Sequence, residues 1–514
     1  MEKKWWTLLA VCIGTFMLLL DVTIVVVALP DIQRDLHATF SDVQWVVDAY
    51  ALALASFLLT SGVLADRYGR RRLFLIGLVV FTLGSLLCGV AQTPLMLTAS
   101  RAGQGLGGAI MFANSLALLG HSFRGRDRGI AFGIWGAITG VAVSLGPILG
   151  GLITTGISWR GIFLVNVPIG VAAVAVTRWR VDESRADHPG KPDPAGFILL
   201  TAGLVGLVYG LIRAGESSWG DTGAILSLVV GGAMLVAFVV VELTVADPMF
   251  DLTLFRKPTF VGGLAAAFAM NGSLFAMLLY LVLYLQNVLG YSALATGTRL
   301  LVSSGAMLLA ATIAGRLSEH VPVRWLIGPG LLAVGVGLLL MTNLDAGSSW
   351  THLIPGFIVS GLGAGFVNPP LASTAIGVVE PARAGMASGI NSTLRQVGLA
   401  TSIAALGSIF TTELHNRLTN ALAATPQFAG RADQITGALR AGQTGAVFDS
   451  VPPSARASLQ TAIGSSFTGA LNTLLIVAAC LALAGGVLST LLIRSKDFVA
   501  RGPEPARMED AVRS

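Results

Sequence analysis

The sequence predicts an all-α integral membrane protein with fourteen transmembrane helices. Apolar stretches long enough to cross a bilayer recur from one end of the chain to the other. Of the 514 residues, 54% are hydrophobic and only 12% are charged, whereas soluble domains carry about 25% charged residues. The polar breaks between the apolar stretches are mostly short. Composition therefore excludes an ordinary soluble protein.

Each predicted helix is an apolar run that covers about 30 Å at 1.5 Å per residue. The predicted spans are 7–29, 44–65, 73–91, 95–119, 129–154, 160–177, 195–213, 222–243, 259–289, 293–315, 325–344, 351–378, 385–411 and 466–493. We expect the polar stretch 412–465 to be a long extracellular loop and 495–514 to be a cytoplasmic tail.

Basic residues cluster in alternate loops, which predicts that both termini are cytoplasmic. The clusters are Arg67/Arg70/Arg71/Arg72, Arg124/Arg126/Arg128, Arg178/Arg180/Arg185 and Arg494/Lys496. The net charge of +6 comes largely from these loops, so it does not indicate nucleic-acid binding. The sequence shows no metal-ligand spacing, phosphate-binding loop or nucleophile motif. We expect no enzyme activity, no metal and no cofactor.

An internal repeat divides the chain. The pattern Gly-x-Leu-x-acid-base-x-x-x-Arg occurs at 62–71 and again at 315–324, each time after the second helix of a six-helix block. It predicts an N-terminal half at 1–178, a linker with two inserted helices at 179–258, and a C-terminal half at 259–494.

One acidic residue, Asp21, lies inside the first predicted helix. A carboxylate at that depth costs at least a few kcal/mol unless it faces water, pairs with a cation or holds a proton. We therefore take Asp21 as the centre of the functional site. The alternative is a structural role, as a cap or as a hydrogen bond between helices.

Four further motifs stand out. The loop at 62–72 reads GVLADRYGRRR, and the fourth helix carries RAGQGLGG at 101–108. The fifth helix ends in GPILGG at 146–151, and SWRGIFLVNVP opens the sixth at 158–168. Small residues on one face let helices pack closely, and a proline inside a helix removes one backbone hydrogen bond.

Together with the helix pattern, these motifs resemble the major facilitator superfamily, and more closely its fourteen-helix drug:proton antiporters. The resemblance covers nearly the whole chain. It implies two pseudo-symmetric six-helix halves around a central cavity, with the seventh and eighth helices inserted between them.

The resemblance also implies roles for the motifs. The loop at 62–72 would be a cytoplasmic latch, in which Asp66 meets the start of the thirteenth helix and Arg70 pairs with Asp127. The implied latch residues are Gly62, Asp66, Arg67, Gly69, Arg70 and Asp127. The alternative is that this basic loop only sets the orientation of the chain in the membrane. The implied antiporter motif is Gly140, Gly146, Pro147, Gly150 and Gly151.

Arg101 would belong to the proton-coupling machinery, with Asp21 as its counterpart. The alternative is that Arg101 snorkels to the outer interface. We expect the substrate cavity to use polar or flexible apolar side chains at membrane depth: Asp48, Gln104, Met270, Asn271, Phe275, Asn391 and Arg395. For Asp48 the alternative is an interfacial residue in contact with water, and for the residues of the ninth helix it is plain packing.

These features predict a proton-coupled exporter of lipophilic, mainly cationic, small molecules such as drugs, dyes or antibiotics. We expect a monomer in the cytoplasmic membrane of a bacterium, with the substrate, protons and the bilayer as its partners. An endogenous secondary metabolite or a lipid is an alternative substrate. An uptake symporter is a further alternative, against which the Gly-Pro element argues. A non-transporting receptor is the last, and few large soluble loops exist to host its partners.

Overall fold

A computed structural model describes residues 2–123, 125–185, 193–245, 248, 252–318, 320–345, 347–379, 384–425, 428, 430–431, 434–435 and 451–498. For some helical residues in these ranges, Asp66 among them, it describes the backbone alone.

The described residues are almost entirely helical. The long helical segments are α1 Lys3–Asp35, α2 Phe40–Tyr68, α3 Arg70–Gly89, α4 Pro94–Ser122, α5 Gly125–Gly156, α6 Gly161–Arg180, α7 Pro194–Glu216, α8 Thr222–Thr244, α9 Pro258–Val288, α10 Ala293–Leu317, α11 Arg324–Leu340, α12 Ile354–Gly377, α13 Ala384–Ala423 and α14 Pro453–Leu492. The predicted loop 412–465 is therefore too long at both ends, because α13 and α14 continue into it as helix. Within α9, the turn Asn271–Phe275 is π-helical.

Eleven helices among the described residues are long and apolar enough to cross a membrane. The apolar helices at Leu145–Gly156 in α5 and Arg324–Leu340 in α11 are shorter. The number of crossings stays a prediction, whereas the all-helical, multi-spanning character matches the sequence.

Several helices begin where a polar side chain accepts a hydrogen bond from the first turn, which satisfies an otherwise unpaired amide. Thr39 accepts from the amide of Asp42 at the start of α2, at 3.1 Å. Asp193 does the same at the start of α7 and Asp221 at the start of α8. These caps explain why the polar breaks in the sequence become short turns between long helices.

The two ends of the bundle can be told apart by the chain termini. Lys3 in α1 pairs with Asp182 after α6 at 3.0 Å, and Thr259 in α9 donates to Asp497 after α14 at 2.7 Å. We call this end the terminal face. The turn between α1 and α2 lies at the other end, which we call the opposite face.

The two six-helix halves meet along two seams, where α2 packs on α13 and α5 packs on α10. Gln44 donates to the carbonyl of Ile403 at 3.1 Å, and Thr393 donates to that of Ala55 at 3.3 Å. Gln44 lies in the part of α2 nearer the opposite face, and Ala55 lies at the middle of that helix. At Gly62, nearer the terminal face, an added Cβ would meet none of the described atoms within 4 Å. Gly62, an implied latch residue, therefore makes no close contact with another described helix in this structure.

The inserted pair α7–α8 packs against both halves. The rings of Phe57 in α2 and Phe197 in α7 are 4.7 Å apart. Thr411 in α13 donates to the carbonyl of Gly215 in α7 at 3.0 Å. The pair therefore touches both helices of the α2–α13 seam.

Candidate functional site

Asp21 and Arg101 form a buried ion pair between α1 and α4. The guanidinium Nη1 lies 2.5 Å from Asp21 Oδ2, and the two side chains are 1% and 0% exposed. The first helix therefore turns its acid into the protein and not to lipid. Arg101 does not snorkel to the interface, so that alternative is wrong.

Two amides complete the surroundings of the Asp21 carboxylate. Gln104 Nε2 donates to Oδ1 at 2.8 Å, and Asn166 Nδ2 donates to the same oxygen at 3.2 Å. Ser85 on α3 accepts from both amides, at 3.1 and 3.0 Å. Asp21 thus accepts three hydrogen bonds, one from Arg101 and one from each amide. Gln104 belongs to this cluster and is not a separate cavity residue.

Arg101 is also held by groups other than Asp21. Its Nε donates to the carbonyl of Val46 at 3.1 Å, and its guanidinium lies 4.1 Å from the ring centroid of Tyr50. A buried ion pair is stable only when such extra bonds satisfy its remaining donors. We call Asp21, Ser85, Arg101, Gln104 and Asn166 the charge cluster; it lies among α1, α3, α4 and α6, inside the N-terminal half.

Sequence reasoning missed two members of the charge cluster, Ser85 and Asn166. Asn166 stands in the element WRGIFLVNVP. It could have been identified as a candidate from the sequence, since an asparagine inside an apolar helix needs a polar partner. That its partner is Asp21 depends on packing between helices far apart in the chain.

Asp48 is fully buried, and neither carboxylate oxygen has a hydrogen-bond partner among the described residues. The alternative that it is an interfacial residue in contact with water is therefore wrong. Because it has no exposed surface, a substrate cannot touch it in this conformation.

The residues proposed for the cavity from α9 differ in their surroundings. Met270 is fully buried in the hydrophobic core, so its predicted contact with a substrate is not possible here. Phe275 is partly buried and packs on the same core. Asn271 donates to the carbonyl of Ala267 in its own helix at 3.1 Å. Packing explains Met270 and Phe275.

The loop between α2 and α3 is organised by Glu183, which the sequence did not single out. Its carboxylate accepts from the amides of Arg71 and Arg72, at 2.9 and 3.3 Å. Gly69 has a φ of +116°, which suits glycine alone, and an added Cβ would lie 2.7 Å from the Glu183 carboxyl carbon. The start of α3 is thus held by an anion on the segment after α6.

The predicted contacts of the other latch residues can be compared with the structure only in part. The side chain of Asp66 lies outside the described residues, so its contact with α13 stays a prediction. Arg67 is exposed and lies over the Tyr68 ring. Asp127 has a different partner from the one expected, because Lys4 binds it at 2.9 Å, whereas the predicted partner was Arg70.

We expect Glu183→Ala to lower the stability of the protein by about 1–2 kcal/mol, because two amides and the positive end of α3 lose their acceptor. Thermal unfolding of the purified protein in detergent measures this. Asp182→Ala is the matched control, since Asp182 is exposed and pairs only with exposed Lys3. Equal midpoints for the two variants would contradict the capping role.

The antiporter motif places α5 against both α1 and α10. A Cβ at Gly150 would lie 2.8 Å from the carbonyl oxygen of Ile24 in α1. A Cβ at Gly151 would lie 2.6 Å from the Cα of Leu294 in α10. A Cβ at Gly146 would collide with the Thr23 side chain in α1, and a Cβ at Gly297 in α10 would collide with the carbonyl oxygen of Pro147. The surroundings of Gly140 are outside the described residues.

Fold and site together define a multi-pass membrane protein of bundled helices with a buried cluster of charged and amide side chains inside it. The chain belongs to the Major Facilitator Superfamily, whose family profile matches residues 11–403.

Relatives that share most of the chain's length are bacterial proteins named for drug resistance, and one of them also for export. It is 37% identical over 404 residues to the multidrug resistance protein Stp of Mycobacterium tuberculosis, covering 78% of this chain and 75% of that one. It is 36% identical over 414 residues to the puromycin resistance protein pur8 of Streptomyces alboniger, with coverage of 80% and 82%. It is 31% identical over 507 residues to the tetracenomycin C resistance and export protein of Streptomyces glaucescens, with coverage of 98% and 94%.

Among solved structures, the fold is similar to a bacterial homologue of the human lysosomal transporter Spinster in its inward-facing, occupied conformation. The TM-score is 0.64 at 17% identity, over 96% of this chain and 98% of the other. At that identity the likeness concerns the fold alone.

Proposed function

We propose that the protein is a proton-coupled antiporter that exports lipophilic small molecules such as drugs or antibiotics. The observation that carries this proposal is the Asp21–Arg101 pair with its two amide donors. A titratable acid that faces a cation inside the bundle can release its proton when paired and take one up when the pair separates. Export itself is supported by the similarity to a protein named for resistance to, and export of, tetracenomycin C.

The proposed cycle moves the two halves about the seams. Entry of a proton from outside would protonate Asp21, weaken its bond to Arg101 and change how α1 packs on α4 and α6. The α2–α13 seam is bonded at Gln44 and Ala55, and a Cβ at Gly62, nearer the terminal face, would meet none of the described atoms within 4 Å. With the termini in the cytoplasm, this geometry corresponds to a state open to the cytoplasm. Asp66 would close that side in the alternate state.

Several finer points belong to the same proposal. All fourteen helical segments would cross the cytoplasmic membrane of a bacterium, and the protein would act as a monomer. The preference for cations that the sequence predicted is left out of this proposal, because an unsatisfied arginine in α13 favours the opposite charge. A secondary metabolite is the second candidate for the exported compound, because one relative is named for export of tetracenomycin C.

Transport into everted membrane vesicles tests the direction and the coupling. We expect vesicles with an acidic interior to accumulate tetracenomycin C or puromycin, and a protonophore to abolish the accumulation. Vesicles lacking the protein are the control. Accumulation driven by an alkaline interior would show uptake symport, and indifference to the protonophore would exclude proton coupling.

A further inference from the structure

Arg395 lies near the middle of the membrane part of α13 and is left without a partner. Within the described part of the chain it makes no hydrogen bond and no ion pair, and its buried Nε is unsatisfied. The side chain still keeps part of its surface accessible. A cation at this depth that is both unpaired and reachable is costly to maintain.

Asn391 stands one turn before Arg395 on the same helix. It is only 5% exposed, and its Oδ1 also lacks a hydrogen-bond partner. The two side chains share a face because they are four residues apart. Together they present several unused donors and one unused acceptor.

The face that carries Asn391 and Arg395 points into the bundle. Gly398 and Ser402 continue the same stripe at three- and four-residue spacing. A Cβ at Gly398 would lie 2.6 Å from the carbonyl oxygen of Phe268 in α9, and Ser402 contacts Gly272 there. The stripe therefore faces α9, and Arg395 stands on the side of α13 that packs on this helix.

Two other arginines inside predicted membrane helices have hydrogen-bond acceptors or aromatic rings of the chain beside their guanidinium groups. Arg101 has Asp21, Gln104 and the Val46 carbonyl. Arg299 donates to the Ala295 carbonyl at 2.7 Å, and its guanidinium lies 3.6 Å from the centroid of a tyrosine ring. Of these three arginines, Arg395 alone has neither a hydrogen-bond acceptor nor an aromatic ring beside its guanidinium among the described residues. This indicates that the acceptor comes from outside the chain.

We propose that Arg395 and Asn391 form the subsite for an acidic group of the exported compound. A carboxylate or an ionised phenol would accept from the guanidinium, and a neighbouring hydroxyl or N–H would donate to Asn391 Oδ1. The inference rests on the proposed export function and names its substrate class as lipophilic acids. The unpaired acid that would favour cations, Asp48, is fully buried and out of reach.

Equilibrium binding to the purified protein in nanodiscs tests this subsite without any proton gradient. Three fluorescent ligands share one apolar body and differ in the head group: 1-pyrenebutyrate, its methyl ester and a pyrenylbutyl trimethylammonium salt. We expect the wild type to bind the acid at least about tenfold more tightly than the ester or the cation, because bonds to a buried charge are strong.

Arg395→Gln should remove most of that preference while leaving the ester affinity unchanged, and Arg395→Lys should keep part of it. Arg299→Gln is the matched control and should behave as wild type. Equal affinities for acid and ester in the wild type, tighter binding of the cation, or an unchanged preference in Arg395→Gln would each overturn the inference. None of these results bears on proton coupling, which the vesicle experiment measures separately.

Discussion

Asp21→Asn is expected to abolish proton-driven efflux. The amide keeps the shape of the side chain and can still meet Gln104 and Asn166, but it cannot titrate. It also leaves the Arg101 guanidinium buried without an anion, which typically costs about 3–5 kcal/mol of stability. Efflux in cells, drug susceptibility and the amount of protein in the membrane measure the effect.

A second variant separates transport from folding in this prediction. Asp21→Asn combined with Arg101→Gln removes both charges, so much of the lost stability should return. Transport should remain absent, because no titrating acid is restored. Full efflux by Asp21→Asn at normal protein levels would remove Asp21 from the mechanism. Recovery of efflux in the double variant would assign the pair a structural role only.

Gly151→Ala is expected to reduce efflux at least about tenfold. The added Cβ would lie 2.6 Å from the Cα of Leu294 and 2.7 Å from the carbonyl oxygen of Ala293. These are backbone atoms of α10 in the other half, so they cannot rotate away as a side chain would. The seam would therefore open at this point and bias the protein against the conformation seen here.

Gly156→Ala at the end of the same helix is the control, because an added Cβ there meets none of the described atoms within 4 Å. Both variants replace a helical glycine by alanine, and only Gly151→Ala disturbs the seam contact. Initial efflux rates at equal protein levels compare them. Equal rates would mean that the α5–α10 contact does not limit the cycle.

The sequence predicted an all-helical protein with many membrane-spanning helices correctly, because membrane helices have a strong signal. Apolar runs of fixed length and the glycine-rich fifth helix are local patterns. The division into halves rests on the internal repeat and stays a prediction. The end of α13 was missed because the stretch after residue 411 is polar, yet it continues as helix to Ala423. Hydropathy marks where lipid ends and does not mark where a helix ends.

The charge cluster shows the limit of sequence reasoning. Asp21 and Arg101 can each be recognised from the sequence, because charges are rare in apolar helices. Ser85 and Asn166 are small polar residues, and many such residues satisfy themselves within their own helix. Glu183 lies in a charged segment where no position is distinctive. Their roles depend on which helices lie side by side, and a single sequence does not record that.

The bonds that join the halves end largely on backbone oxygens. Gln44 binds the carbonyl of Ile403, Gln286 that of Val27, and Thr393 that of Ala55. Ion pairs recorded between described residues do not join the two halves. A neutral junction of this kind is not weakened by dissolved electrolyte. The contacts between the halves in this conformation should therefore hold equally in dilute buffer and in concentrated sodium chloride.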